Sequence, residues 1–246
     1  MSRTIFVTGA DSVAGWLLAR ALASRSHSVI AAMDLSPGND APPGRRKSRI
    51  PNIDIVYMNG LSEFSVDETF RAILVRYGRI DVLINQMGKV TQGMDGTESE
   101  DAVREIVNAG TYAAVLTSSA ILPTMENNRE GLIINVSCGL DARGIPFRLG
   151  TNLIGFGPEG PACAGWSGLR ERGVDAVVVY CGMPDIGSIE GLGEPPAAGD
   201  YRRRLRLKRE ILNAVLALME MKAGSRPPGY VVEALIRIGA RRGNGF

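Results

Sequence analysis

Thr4-Ile5-Phe6-Val7-Thr8-Gly9-Ala10-Asp11-Ser12-Val13-Ala14-Gly15 is the stretch that decides how this chain folds. A short β-favouring run enters a glycine. An apolar pattern at helical spacing then starts at Val13 and continues through Trp16, Leu17, Ala21 and Leu22. Glycine at 9 permits a tight turn, and glycine at 15 lets a helix pack closely on the strand before it. Such a turn aims backbone N–H groups and the positive end of a helix at one spot, which suits anionic phosphate. A plain strand–turn–helix junction with no ligand would account for the same glycines.

The pattern repeats outward from there. Runs suited to buried strands occur at Thr4–Thr8, Val29–Met33, Ile53–Met58, Val82–Asn85, Leu132–Val136, Ala176–Tyr180 and Tyr230–Ile236. Helical spacing recurs in Val66, Phe70, Ile73 and Leu74, and again through Val103, Ile106, Val107, Ala114, Leu116, Ile121 and Leu122. Strands buried on both faces and alternating with helices predict a parallel sheet with right-handed crossovers. In such sheets ligands bind beyond the carboxyl ends of the strands. Ser36–Arg49 and Gly182–Gly199, rich in Gly with Pro, read as surface loops.

Bulk properties narrow the classes. At 246 residues and 45% hydrophobic content the chain can form one domain over 1–246. A net charge of +2 announces neither a nucleic-acid nor a membrane partner. No apolar run approaches the roughly 18–20 residues that span a bilayer. The apolar start at Thr4 leaves no signal-peptide pattern, so a cytoplasmic protein is expected. Cys138, Cys163 and Cys181 lack metal-ligand spacing, so no metal site is expected.

In order and spacing these segments resemble the short-chain dehydrogenase/reductase family. Its turn reads Thr-Gly-x3-Gly-x-Gly, and Thr8, Gly9 and Gly15 match while Val13 replaces the middle glycine. Gly78 to Asn85 and Leu132 to Ser137 keep the family's look. Asn85-Gln86-Met87-Gly88 stands for Asn-Asn-Ala-Gly, and Asn59-Gly60 stands where an Asp usually contacts adenine. The resemblance implies an α/β fold: a doubly wound Rossmann-type domain with a mostly parallel seven-stranded sheet and helices on both faces. It also implies a dinucleotide site drawing on Gly9, Ser12, Val13, Ala14, Asp34, Asn59, Gly60, Asn85, Gln86, Met87 and Gly182. Asp34 lies 25 residues after Gly9, where a carboxylate accepts hydrogen bonds from ribose hydroxyls and repels a 2′-phosphate. NAD is therefore expected over NADP. Arg45, Arg46 and Lys47 would reverse that preference if their loop folded over the site.

The same resemblance exposes a gap. Asn108 matches the asparagine of the family's catalytic tetrad, and Cys138 falls on its serine position with Ser137 one before. Thirteen residues on, where the family places its tyrosine, stands Thr151, and Gly155 stands for the lysine four residues further. No tyrosine occurs between Tyr112 and Tyr180, and no lysine between Lys89 and Lys208, so no shift of register restores the pair. A threonine hydroxyl cannot serve as the tuned phenol, and glycine supplies no cation. Gly155-Phe156-Gly157-Pro158-Glu159-Gly160-Pro161 also breaks the helix expected there. Cys138, Asp141, Arg143 and Arg148 are candidate substitutes, against the plainer reading of a loop with solvated charges and a buried thiol.

Three functions follow as expectations. The first is a catalytically degenerate, non-catalytic or regulatory subunit with a retained or lost NAD(H) site, in a homo-oligomer or in a hetero-oligomer with an active relative. The second is an enzyme of altered chemistry on the same fold: an isomerase, lyase, cyclase or atypical NAD(P)-dependent oxidoreductase. The third is a dinucleotide-sensing binding protein. Residues 182–212 read as a substrate-lid region. The basic run from Tyr201 to Arg209 leads into an amphipathic pattern, Leu205, Ile211, Leu212 and Val215, so its charges read as a solvated face. His27, the sole histidine, reads as a surface residue.

Overall fold

A computed structural model of the chain describes residues 2–35, 45–86, 100–138, 168–181, 209 and 211–226. The elements follow as β1 (Thr4–Val7), α1 (Val13–Ala23), β2 (Ser28–Asp34), β3 (Arg45–Lys47), β4 (Ile53–Met58), α2 (Glu63–Tyr77), β5 (Val82–Gln86), α3 (Glu100–Asn128), β6 (Gly131–Cys138) and β7 (Val174–Cys181). The strands form one sheet in the order β3-β4-β2-β1-β5-β6-β7. Every neighbouring pair is parallel except β3 with β4. From β1 the chain winds out through β2 to β4, then crosses back to lay down β5, β6 and β7 on the other side. The strand order therefore reverses between β1 and β5, the position at which open sheets bind ligands.

The alternation of apolar residues along each strand feeds two cores. Ile5, Val7, Val29, Ala31, Ile84, Ile134, Val136, Val177 and Val179 pack on one face with Leu18, Ala19 and Leu22 of α1. Residues 211–220 are helical and add Ile211, Val215, Leu218 and Met219 to that face. Phe6, Ile30, Ala32, Leu83 and Ile133 occupy the other face with Val66, Phe70 and Ile73 of α2 and Ile121 and Met125 of α3. The rings of Phe6 and Phe70 meet there with centroids 4.7 Å apart. Each large side chain buried in this way contributes about 1.5–3 kcal/mol. The doubly wound α/β fold expected from the sequence is thus the fold observed.

Three details differ from the sequence reading. Among the described residues the sheet includes β3, a short antiparallel edge inside the segment read as a loop; the run at Tyr230–Ile236 lies outside the described residues. A three-residue strand bearing Arg45, Arg46 and Lys47 carries no apolar pattern, so periodicity could not reveal it. Leu17 belongs to the apolar pattern but is 38% exposed, because α1 turns Leu18, Ala19 and Leu22 inward instead. The strands β6 and β7 each run further toward their carboxyl ends than their apolar runs. For the amphipathic pattern before 216, Ile211 and Val215 are buried as its spacing requires.

The amino ends of the parallel strands are fastened by carboxylates. Asp81, just before β5, accepts the Thr4 N–H at 2.7 Å. Asp54 in β4 accepts the Tyr77 hydroxyl proton and lies 3.2 Å from Arg76, which pins the end of α2. Asp175 in β7 pairs with Arg226 at 2.7 Å, both nearly fully buried. The same guanidinium donates to the carbonyls of Leu218 and Met221, and the Gly224 N–H donates to Asp175 at 2.9 Å. This ion pair holds the C-terminal helical segment against the sheet.

His27 sits in the connection before β2, where its Nδ1 accepts the Arg3 N–H at 3.2 Å. Burial first, then the charges of Arg3, the N-terminus and Arg25, push its pKa below the ordinary 6.5, with Asp81 opposing.

Arg226→Ala should cost about 3 kcal/mol in urea unfolding, because it leaves the buried Asp175 carboxylate with only the half-exposed Arg170, 3.3 Å away, as its cation, whereas replacing both Asp175 and Arg226 by apolar residues should cost less. A histidine whose folded pKa lies below its unfolded value contributes fully above pH 6.5 and loses that contribution as the pH falls through the folded value. Wild-type Tm should therefore fall more steeply below pH 6.5 than that of His27→Gln, and parallel curves would contradict this.

Candidate functional site

The turn after β1 hangs across three strands. Thr8 donates its N–H to the Ile84 carbonyl at 2.9 Å, and its Oγ1 accepts the Gln86 N–H at 3.1 Å. On the other side Ala10 donates to the Ala32 carbonyl at 3.0 Å. Between these anchors Gly9 adopts φ +61°, and a Cβ there would lie 2.6 Å from the Gln86 carbonyl oxygen. A Cβ on Gly15 would lie 2.3 Å from the Gly9 carbonyl oxygen. Both glycines are therefore required by backbone contacts alone.

Ser12 organises the start of α1. Its backbone is extended, its Oγ accepts the Gly15 N–H at 3.0 Å, and the same hydroxyl donates to the Gly9 carbonyl at 2.8 Å. The first intrahelical bond runs from the Trp16 N–H to the Ser12 carbonyl at 2.9 Å. Val13 and Ala14 thus stand in the first turn, where N–H groups have no intrahelical carbonyl to meet. Two backbone donors, a helix N-terminus and a side-chain-free Gly9 form a cradle of the kind that receives a phosphate. On this observation the residues present fit the phosphate-binding part of a dinucleotide site.

Asp34, Asn59, Gln86, Ser137 and Cys138 lie along the same carboxyl edge. Asp34 is the last residue of β2 and pairs in register with Met58 at the end of β4. Asn59 follows β4, and its Oδ1 accepts the Leu61 N–H at 3.0 Å while its carbonyl accepts the Ser62 N–H at 3.1 Å. This turn delivers Ser62 as the cap of α2. Gly60 sits against α3, where a Cβ would come 3.3 Å from that of Ala113. Gln86 ends β5 directly beneath Gly9. Ser137 and Cys138 end β6. Asn108 lies in α3, well before Pro123. Met87, Thr151, Gly155 and Gly182 lie outside the described residues.

Asn85 occupies a different setting from the other candidates. It is 1% exposed, accepts from Thr117 Oγ1 at 2.8 Å, and donates to Asn135 Oδ1 at 2.9 Å and Ser118 Oγ at 3.2 Å. Its side chain joins β5, β6 and α3, so what it supplies directly is rigidity beneath the edge. Asn135 Nδ2 finds no partner among the described residues although it is buried. Sequence reasoning missed Thr117, Ser118 and Asn135. The available signal was one polar residue inside the apolar run Leu132–Val136, in register with Asn85.

Among the described residues no group of three His, Cys, Asp or Glu could hold a metal ion. Among those residues, too, no helix is long and apolar enough to cross a membrane.

A reversed strand order with a glycine-bounded turn at the switch point is the arrangement of the doubly wound α/β class. The short chain dehydrogenase profile matches residues 3–147. The chain belongs to the short-chain dehydrogenase/reductase family, and is thereby related to NAD(P)-dependent oxidoreductases. The match ends before Thr151 and Gly155, so it does not bear on those two positions.

Relatives agree with this. A 3-ketodihydrosphingosine reductase from Bacteroides thetaiotaomicron is 29% identical over 63% of this chain and 54% of its own length. The Thermotoga maritima 3-oxoacyl-acyl-carrier-protein reductase FabG is 26% identical over 58% of each chain. The chain thus spans little more than half the length of these two. The Mycobacterium avium 3-oxoacyl-acyl-carrier-protein reductase MabA is 24% identical over 100% of this chain and 91% of its own. A short-chain dehydrogenase from Streptomyces avermitilis shares the fold, with a TM-score of 0.59 at 16% identity over 98% of this chain and 94% of its own.

Gly15→Ala should destabilise the chain by about 1–3 kcal/mol, since the added methyl meets backbone rather than a movable side chain. Ser12→Ala should cost about 1 kcal/mol through the lost cap. Urea midpoints at unchanged m-value measure both.

Proposed function

We propose that the chain binds a nicotinamide dinucleotide, NAD in preference to NADP, and acts as an atypical NAD(P)-dependent oxidoreductase that works without the family's Tyr–Lys relay. The observation that carries this reading is the cradle of Gly9, Ser12, Val13, Ala14 and Gly15 at the β1–β5 switch point. Asp34, at the carboxyl end of β2, supports NAD: a carboxylate there suits free ribose hydroxyls and repels a 2′-phosphate. When bound, the dinucleotide would supply hydride transfer. This chain's residues would fix its phosphates and ribose and present the ends of β6 and β7 to the reacting end. The relatives' printed names support 3-oxo compounds as the first substrates to test.

A second reading rests on one specific observation. Thr151 and Gly155 provide neither phenol nor cation, and no tyrosine or lysine stands nearby in sequence to replace them. On that basis the chain is a non-catalytic or regulatory subunit that retains the dinucleotide and pairs with a second copy or an active relative.

Calorimetry with NAD+, NADH, NADP+ and NADPH, followed by single-turnover hydride transfer to a 3-oxo panel, separates these readings. The first predicts NAD(H) binding with measurable transfer, slower than the roughly 1 s⁻¹ or more of ordinary enzymes. Binding without any transfer would leave the subunit reading, and absence of binding would overturn both. Asp34→Ser should weaken NAD about tenfold, or roughly 1.4 kcal/mol, and narrow its margin over NADP.

A further inference from the structure

Two of the chain's three cysteines share one rung of the sheet. Cys138 is the last residue of β6, Cys181 is the last of β7, and the two are Cα partners in the parallel ladder. Neighbouring strands lie about 4.8 Å apart. That falls inside the Cα separation of about 4.4–6.8 Å that a disulfide can bridge. Register partners in a parallel ladder occupy the same face. On β6 that face is marked by Leu132, Ile134 and Val136, and on β7 by Val177 and Val179. The two-residue period places positions 138 and 181 next in both series, one step beyond the last core residue of each strand. They therefore stand together at the carboxyl edge, where open sheets receive ligands.

We propose that Cys138 and Cys181 form a vicinal dithiol, a modification site that a low-molecular-weight disulfide closes reversibly into a cross-strand bridge. The thiolate of one cysteine attacks the reagent R–S–S–R, forming a mixed disulfide and releasing one R–SH. The second thiolate attacks the protein sulfur of that mixed disulfide, forms the Cys138–Cys181 bond and releases the second R–SH. The protein loses two electrons and two protons, and the reagent's disulfide is reduced to two thiols. A bridge prefers Cβ atoms about 3.8 Å apart, closer than the usual strand spacing, so closing it draws the strand ends together. A bridge formed that way is easily reduced, which suits a reversible modification rather than a structural staple. The proposal does not depend on dinucleotide binding.

The test uses the full chain under native conditions. It is equilibrated with oxidised glutathione, its free thiols are blocked by alkylation, and the digest is mapped by mass spectrometry. The expected result is one linked pair, Cys138 with Cys181, alongside alkylated Cys163, with the link reversed by excess reduced glutathione. Cys163→Ser, which keeps the pair intact, should lose its two thiols together and become two hydrogens lighter. Stable glutathione adducts without a link, a bridge to Cys163, or two thiols that react only after unfolding would each overturn the proposal. Wild-type mapping alone decides the matter if that variant fails to fold.

Discussion

The close approach of Gly9 to Gln86, and of Gly15 to Gly9, is the contact on which this structure turns. Three backbone segments meet there with no room for a single methyl group at either glycine. The approach sets α1 against the end of β1 and sets β1 against β5. It thereby fixes the crevice where strand order reverses. It also leaves the first-turn N–H groups of α1 facing that crevice edge. One packing constraint thus serves both the fold and the candidate site.

The two ends of the parallel sheet are divided in their chemistry. Amino ends carry Asp54, Asp81 and Asp175, each engaged by a hydroxyl, an N–H or an arginine. Those contacts hold helices and the C-terminal segment to the sheet. Carboxyl ends carry Asp34, Gln86, Ser137 and Cys138, with Asn59 just beyond. Between the two lies the Asn85–Asn135 pair with Thr117, which ties β5, β6 and α3 below the site. A buried polar network of this kind costs stability wherever a member lacks a partner, so its presence under the edge points to positioning.

The fold was legible because its strands are apolar on both faces and its helices are apolar on one. β4 and the start of α1 at Val13 could be read to the residue. β3 could not, because a three-residue edge strand of Arg, Arg and Lys is recruited by pairing with β4 rather than by burial. The phase of α1 was misjudged at Leu17 because Trp16, Leu17 and Leu18 are all apolar, and only packing selects among them. In the turn after β1, Gly9 and Gly15 could be read because each answers a backbone requirement. The Asn85 network and the rung shared by Cys138 and Cys181 could not, since they depend on register between strands distant in sequence.

The proposed function joins a turn set by backbone contacts to Thr151 and Gly155, which stand where the family resemblance places tyrosine and lysine. Backbone amide resonances followed by NMR while NADH is added test this most directly. The account predicts saturable shifts at Gly9, Val13, Ala14 and Gly15, with Asp34 and its neighbours moving in parallel. Shifts confined to other parts of the chain, or no saturable shift at the turn, would contradict it.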